Sequence, residues 1–116
     1  MDAATERRLL GLLGLGLRSR RAVLGVDRVR EAAKRGTLRV AVVAGDASPN
    51  SREKVDGLLA AKRVPMLMVA SAATLGQVGG RETTAVIGVV DAELATGILA
   101  LAAPAGTGPD GSRGTG

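Results

Sequence analysis

The chain has 116 residues, 46 per cent hydrophobic and 23 per cent charged, with a formal net charge of +5. It contains no Phe, Tyr, Trp, Cys or His, which excludes thiolate nucleophiles, disulfides, Cys/His metal centres, imidazole acid–base chemistry and aromatic platforms for stacking bases. A single non-enzymatic domain with neither cofactor nor metal is the expectation.

A first helix is predicted from Asp2 or Thr5, either of which can cap it, to about Leu17. Leu10, Leu13 and Leu17 form its apolar face and Leu9 and Leu12 widen it. Gly11, Gly14 and Gly16 each cost about 1 kcal/mol in a helix, which implies close packing there. Arg7 and Arg8 before an apolar run imitate a secretory leader, but Asp2 and Glu6 lie inside it and Arg18, Arg20 and Arg21 stand where a small-residue cleavage site belongs. A cytoplasmic protein without a membrane segment is therefore expected.

Ala22-Val23-Leu24 reads as a short extended segment leading into Gly25. From Val26 the period is helical, with Val26, Val29, Ala32 and Ala33 on one face and Asp27, Arg28, Arg30, Glu31, Lys34 and Arg35 around the other, until Gly36. Leu38 to Ala44 reads as a central strand buried on both faces, followed by the loop Gly45-Asp46-Ala47. Ser48-Pro49 starts a helix whose buried stripe is Val55, Leu58 and Leu59, with Arg52, Glu53, Lys54 and Asp56 facing water. With Asp46 and Lys54 nearby, Ser48 could suggest a nucleophile, but before a proline it reads as a helix cap.

After Val64-Pro65, Met66 to Val69 is predicted as another buried strand and Ser71 as the cap of a short helix through Gln77. Gly79-Gly80-Arg81-Glu82 is a loop, Ala85 to Val90 a strand, and Asp91 the cap of a last helix carrying Leu94, Ile98 and Leu101. Alternating helices and strands predict an α/β domain over residues 1–101, with helices on both faces of a small sheet. The Gly-rich segment 102–116 is expected to be disordered.

Charge is uneven along this order. Residues 1 to 39 carry ten Arg or Lys against four acids, a net of +6, whereas residues 40 to 101 carry five against six, a net of −1. Five arginines, Arg18, Arg20, Arg21, Arg28 and Arg30, surround Gly25 just ahead of the second helix, where bare N–H groups and the helix dipole favour an anion. The phosphate of a nucleic acid is the anion this implies, and a solvated basic face is the alternative.

Several pieces, taken in order, resemble the kink-turn RNA-binding ribosomal protein superfamily, typified by large-subunit ribosomal proteins seven-Ae and thirty-e and including small bacterial members. They are Leu12-Leu13-Gly14-Leu15, Val23-Leu24-Gly25, Ala44-Gly45-Asp46-Ala47-Ser48, Val64-Pro65, Leu75-Gly76 and the strand from Ala85 to Asp91, across residues 6 to 101. The resemblance implies a three-layer αβα sandwich with a four-stranded mixed sheet and RNA held at one end of it. It implies that Gly25, Asp27 and Arg28 occupy the positions that read tandem G·A pairs, where the family often has Gly followed one residue later by Asn-Glu. Asp27 accepts but cannot donate as asparagine does, and Arg28 inverts the charge of glutamate. Upstream, Arg18-Ser19-Arg20-Arg21 replaces a common Arg-Ala-Gly-Lys, losing a glycine and gaining a charge. The family's second contact loop matches Gly79 to Glu82 and nominates Arg81.

The expected function is a small non-catalytic binder of structured, kink-turn-like or G·A-containing RNA, including ribosomal RNA or ribonucleoprotein partners, as a monomer and without DNA specificity. Arg18, Arg20, Arg21, Lys34 and Arg35 would hold phosphates, and Asp27 and Arg28 would meet base edges. A protein-interaction adaptor on the same fold is the second reading.

Overall fold

A computed structural model describes residues 2–69 and 71–101; the expected disordered segment 102–116 lies outside the described residues. The elements are α1 (Ala3–Arg18), β1 (Ala22–Leu24), α2 (Val26–Arg35), β2 (Val40–Ala44), α3 (Pro49–Ala61), β3 (Met66–Val69), α4 (Ala72–Val78), β4 (Val86–Val89) and α5 (Ala92–Leu101). The four strands lie in the order β1-β4-β2-β3. β4 pairs antiparallel with both β1 and β2, while β2 and β3 are parallel. This is the mixed four-stranded sheet of the expected αβα sandwich.

β2 explains the layering. Its five residues are all buried, because successive side chains alternate between two covered faces. Val40, Val42 and Ala44 point into a core shared with Leu9 and Leu13 of α1, Leu75 of α4, and Leu94 and Ile98 of α5. Ala41 and Val43 point into a second core with Val29, Ala32 and Ala33 of α2, and Val55 and Leu59 of α3. In β4, Ile87 and Val89 face the first core and Val86 the second. Gly88 is small because a Cβ there would meet Leu38 Cδ1 at 2.6 Å and Val29 Cγ2 at 3.0 Å.

The helix starts follow their caps. Asp2 accepts the Thr5 N–H at 2.7 Å, and hydrogen bonding from the Thr5 side chain, reinforced by that N–H, holds its carboxyl below the usual carboxylate range. Ser48 accepts from Ser51 N–H at 3.1 Å with Pro49 in the first turn, Ser71 accepts from Thr74 N–H at 3.1 Å, and Asp91 accepts from Leu94 N–H at 2.8 Å.

Five expectations shift. The buried stripe of α1 is Leu9, Leu13, Gly14 and Gly16, with Leu10, Leu12 and Leu17 half-buried beside it, because α1 packs on α5 through Gly16 at the Leu94 side chain. Gly11 meets nothing within 4 Å, so close packing accounts for Gly16 and Gly14 but not for Gly11. β2 begins at Val40, two residues after Leu38, which is buried below Gly88 rather than in the ladder. β3 is an edge strand, with Leu67 and Val69 buried and Met68 36% exposed, so it is covered on one face only. Leu58 is half-buried, and Arg52 is half-buried too, pairing with Asp56 at 3.0 Å.

Candidate functional site

β1 is three residues long and forms the sheet edge opposite β3. The chain leaves α1 through Ser19, Arg20 and Arg21, runs along this edge, and turns at Gly25 into α2. Gly25 has φ 96 and ψ 163, a backbone region essentially reserved for glycine. Its N–H donates to the Val86 carbonyl at 3.0 Å and its carbonyl accepts from Val29 N–H at 3.1 Å. No side chain caps α2, and a Cβ on Gly25 would meet nothing within 4 Å. The start of the helix thus faces open space with its positive dipole end uncovered.

Three clefts meet around this turn, and Arg28 lines all of them. One, of about 420 Å³, is lined by Leu24, Gly25, Val26, Asp27, Arg28, Ser51, Lys54 and Arg81. The second, of about 490 Å³, follows the edge strand and is lined by Leu17, Arg20, Ala22, Val23, Leu24, Arg28 and Arg81. The third, of about 340 Å³, lies on the other side of α2 and includes Val23, Arg28, Glu31, Arg35 and Thr37.

Arg81 therefore comes 53 to 61 residues along the chain to the same clefts as Arg28 and Arg20. Its loop is held by Gly76, whose carbonyl accepts the Arg81 N–H at 2.7 Å. Gly76 has no room for a side chain: a Cβ would lie 2.7 Å from Thr83 N and Cα and 2.8 Å from the Arg81 carbonyl.

Of the predicted residues, Arg20, Gly25, Asp27, Arg28, Arg35 and Arg81 line these clefts. Arg35 is bound to Glu31 at 3.3 Å in an exposed pair of the kind worth little in water. Arg18, Arg21 and Lys34 are exposed and line none of the three. Ser51 and Lys54 were missed from the sequence. They belong to α3, and α3 reaches the start of α2 because the two helices pack side by side, with Arg30 Nη1 donating to the Lys54 carbonyl. Only the helical spacing of Ser51 and Lys54 was visible in the sequence, and on one helix alone it reads as a solvated face.

The site can hold anions and offer both hydrogen-bond signs to a base edge. Arg28 and Arg81 donate only, Asp27 accepts when ionised, and Ser51 does either. Among the described residues no group of three or more His, Cys, Asp or Glu is placed to hold a metal ion, and no helix is long and apolar enough to cross a membrane.

The family model described as the ribosomal protein L7Ae/L30e/S12e/Gadd45 family matches residues 7–97. The chain is 33% identical over 90 residues to the RNA-binding protein YlxQ of Bacillus subtilis (strain 168), a match covering 78% of this chain and 90% of that protein. Among solved structures it is similar to a protein of unknown function from Bacillus halodurans C, with TM-score 0.73, 29% identity, and coverage of 80% of this chain and 94% of the other. It also resembles the Giardia lamblia 15.5kD RNA binding protein, with TM-score 0.71 and 20% identity over 88% of this chain and 93% of that one, a likeness of fold.

Proposed function

Because the chain belongs to the ribosomal protein L7Ae/L30e/S12e/Gadd45 family, we propose that it is a small non-catalytic RNA-binding protein that receives structured RNA at the start of α2. The observation that carries this reading is the meeting of the clefts at Arg28, between the uncapped helix start at Gly25 and the Arg81 loop. RNA recognition without aromatic stacking must rest on phosphate, groove and base-edge contacts, and this site offers those groups.

In this reading the open space before Gly25 admits the RNA backbone to the helix N–H groups. Arg20, Arg81 and Lys54 neutralise phosphates, while the exposed Arg18, Arg21, Lys34 and Arg35 add a wider field that draws in polyanions. Asp27 accepts from a guanine amino group and Arg28 donates to the acceptors of a guanine. The RNA is a kink-turn-like or G·A-containing duplex, ribosomal or ribosome-associated, bound by one copy of the chain in the cytoplasm.

The test is binding to a kink-turn RNA and to the same RNA with its G·A pairs replaced by Watson–Crick pairs, at two salt concentrations. Tighter binding to the kink-turn RNA is expected, with discrimination reduced in Arg28→Ala. Equal affinity for both RNAs would leave a phosphate binder and remove kink-turn reading. No binding to either, with a protein partner retained after nuclease treatment, would establish the adaptor reading instead.

A further inference from the structure

Four helices in this chain end in the same way, and where α2 and α4 use glycine, at Gly36 and Gly80, α1 and α3 use an arginine. At the end of α1, Arg20 has φ 62, Arg20 N–H donates to the Leu17 carbonyl at 3.3 Å and Arg21 N–H to the Gly16 carbonyl at 2.7 Å. At the end of α3, Arg63 has φ 57, Arg63 N–H donates to the Ala60 carbonyl at 3.1 Å and Val64 N–H to the Leu59 carbonyl at 2.9 Å. Among the described residues these are the two non-glycine residues with positive φ. This helix ending strongly favours glycine, because a Cβ in the left-handed region is crowded.

The surroundings of the two arginines differ. Arg63 lines none of the three clefts, whereas Arg20 lines the one along the outer edge of β1, with Arg28 and Arg81. That lining holds three arginines and no acid. The neighbouring clefts contain Asp27 and Glu31 respectively. Three arginines around one cleft with no carboxylate in its lining give it a positive potential, which favours an anion supplied from outside. Its other lining residues are Leu17, Ala22, Val23 and Leu24.

We propose that the cleft along the free edge of β1 is a phosphodiester site of its own, held by Arg20 and Arg81 with Arg28 at its border toward the bases, and that the chain tolerates a left-handed arginine at Arg20 in order to add its guanidinium there. This rests on RNA being the ligand at the start of α2. It assigns to the edge cleft the sequence-independent part of the contact, next to the cleft where Asp27 lies beside Gly25. Strain alone does not make the case, since Arg63 shares it; the convergence with Arg28 and Arg81 does.

The proposal predicts opposite signs for two readouts of one substitution. Arg20→Gly relieves the backbone and raises the melting temperature by about 2–6 °C, yet weakens RNA binding about five- to tenfold and reduces the slope of log K against log salt by about 1. The loss should be equal for a G·A-containing duplex and a fully paired duplex of the same length. Arg63→Gly, the internal control, should gain stability with RNA affinity unchanged. Arg20→Asn, which tolerates the left-handed turn without a guanidinium, should weaken binding like the glycine variant, and Arg20→Lys should keep the salt slope.

Wild-type affinity and slope in Arg20→Gly and Arg20→Asn would overturn the phosphodiester site. So would a loss confined to the G·A-containing duplex, which would make Arg20 a reader of shape or bases. If Arg28→Ala and Arg81→Ala also leave RNA binding untouched, it is the RNA reading itself that fails.

Discussion

Gly76 shows how a single small residue positions a functional loop from outside the site. Its absent Cβ leaves room for Thr83 N and Cα, and its carbonyl holds Arg81 N–H. Because the crowding atoms are backbone, they cannot move aside as a side-chain tip would. Gly76→Ala should therefore cost about 1–3 kcal/mol by urea unfolding and weaken RNA binding by more than the unfolded fraction accounts for. Unchanged affinity in the folded fraction would separate the loop from the site. Gly25 is constrained differently. Space is open around it, and the restriction is the backbone angle, so Gly25→Ala is expected to cost about 1–3 kcal/mol through strain alone. The sequence marked both glycines, one by position before a helix and one by resemblance. It could not show why Gly76 matters, since the clash arises with Thr83 across a turn whose closeness no local pattern encodes.

At the scale of elements, most starts and stops were legible because they are written in adjacent residues. Ser48-Pro49, Ser71, Asp91 and Gly36 each act within a few residues of themselves. What was less legible depends on neighbours far along the chain. The orientation of α1 is decided by Gly16 against α5, and the exposure of Met68 by β3 falling at an edge of the sheet. Lys54 joins the site only because α3 packs beside α2. Asp46 is another such link: its Oδ1 accepts the Ala72 N–H at 2.7 Å, tying the loop after β2 to the first turn of α4. Asp46→Ala should lower stability by about 1 kcal/mol, seen as a lower urea midpoint with an unchanged m-value. A midpoint equal to wild type would show that water replaces the link at no cost.

For the whole molecule, the sign and placement of charge matter more than its sum. The basic excess lies within residues 1 to 39, and the fold gathers Arg20 and Arg28 from that third with Arg81 from beyond it at one end of the sheet. If about six phosphates are engaged, affinity should fall roughly a thousandfold between about 50 and 200 mM salt. A flat salt response would exclude a phosphate-dominated interface. The sheet is also unequal from side to side. Its β1 edge borders the arginines, whereas β3, at the opposite edge, carries the exposed thioether of Met68, about 14 Å away at ordinary strand spacing. Since the chain contains no cysteine, Met68→Cys would create a single attachment point at the sheet edge opposite the one that borders Arg20. A fluorophore or a surface tether placed there would present every molecule in the same orientation, with its basic edge free to meet ligand.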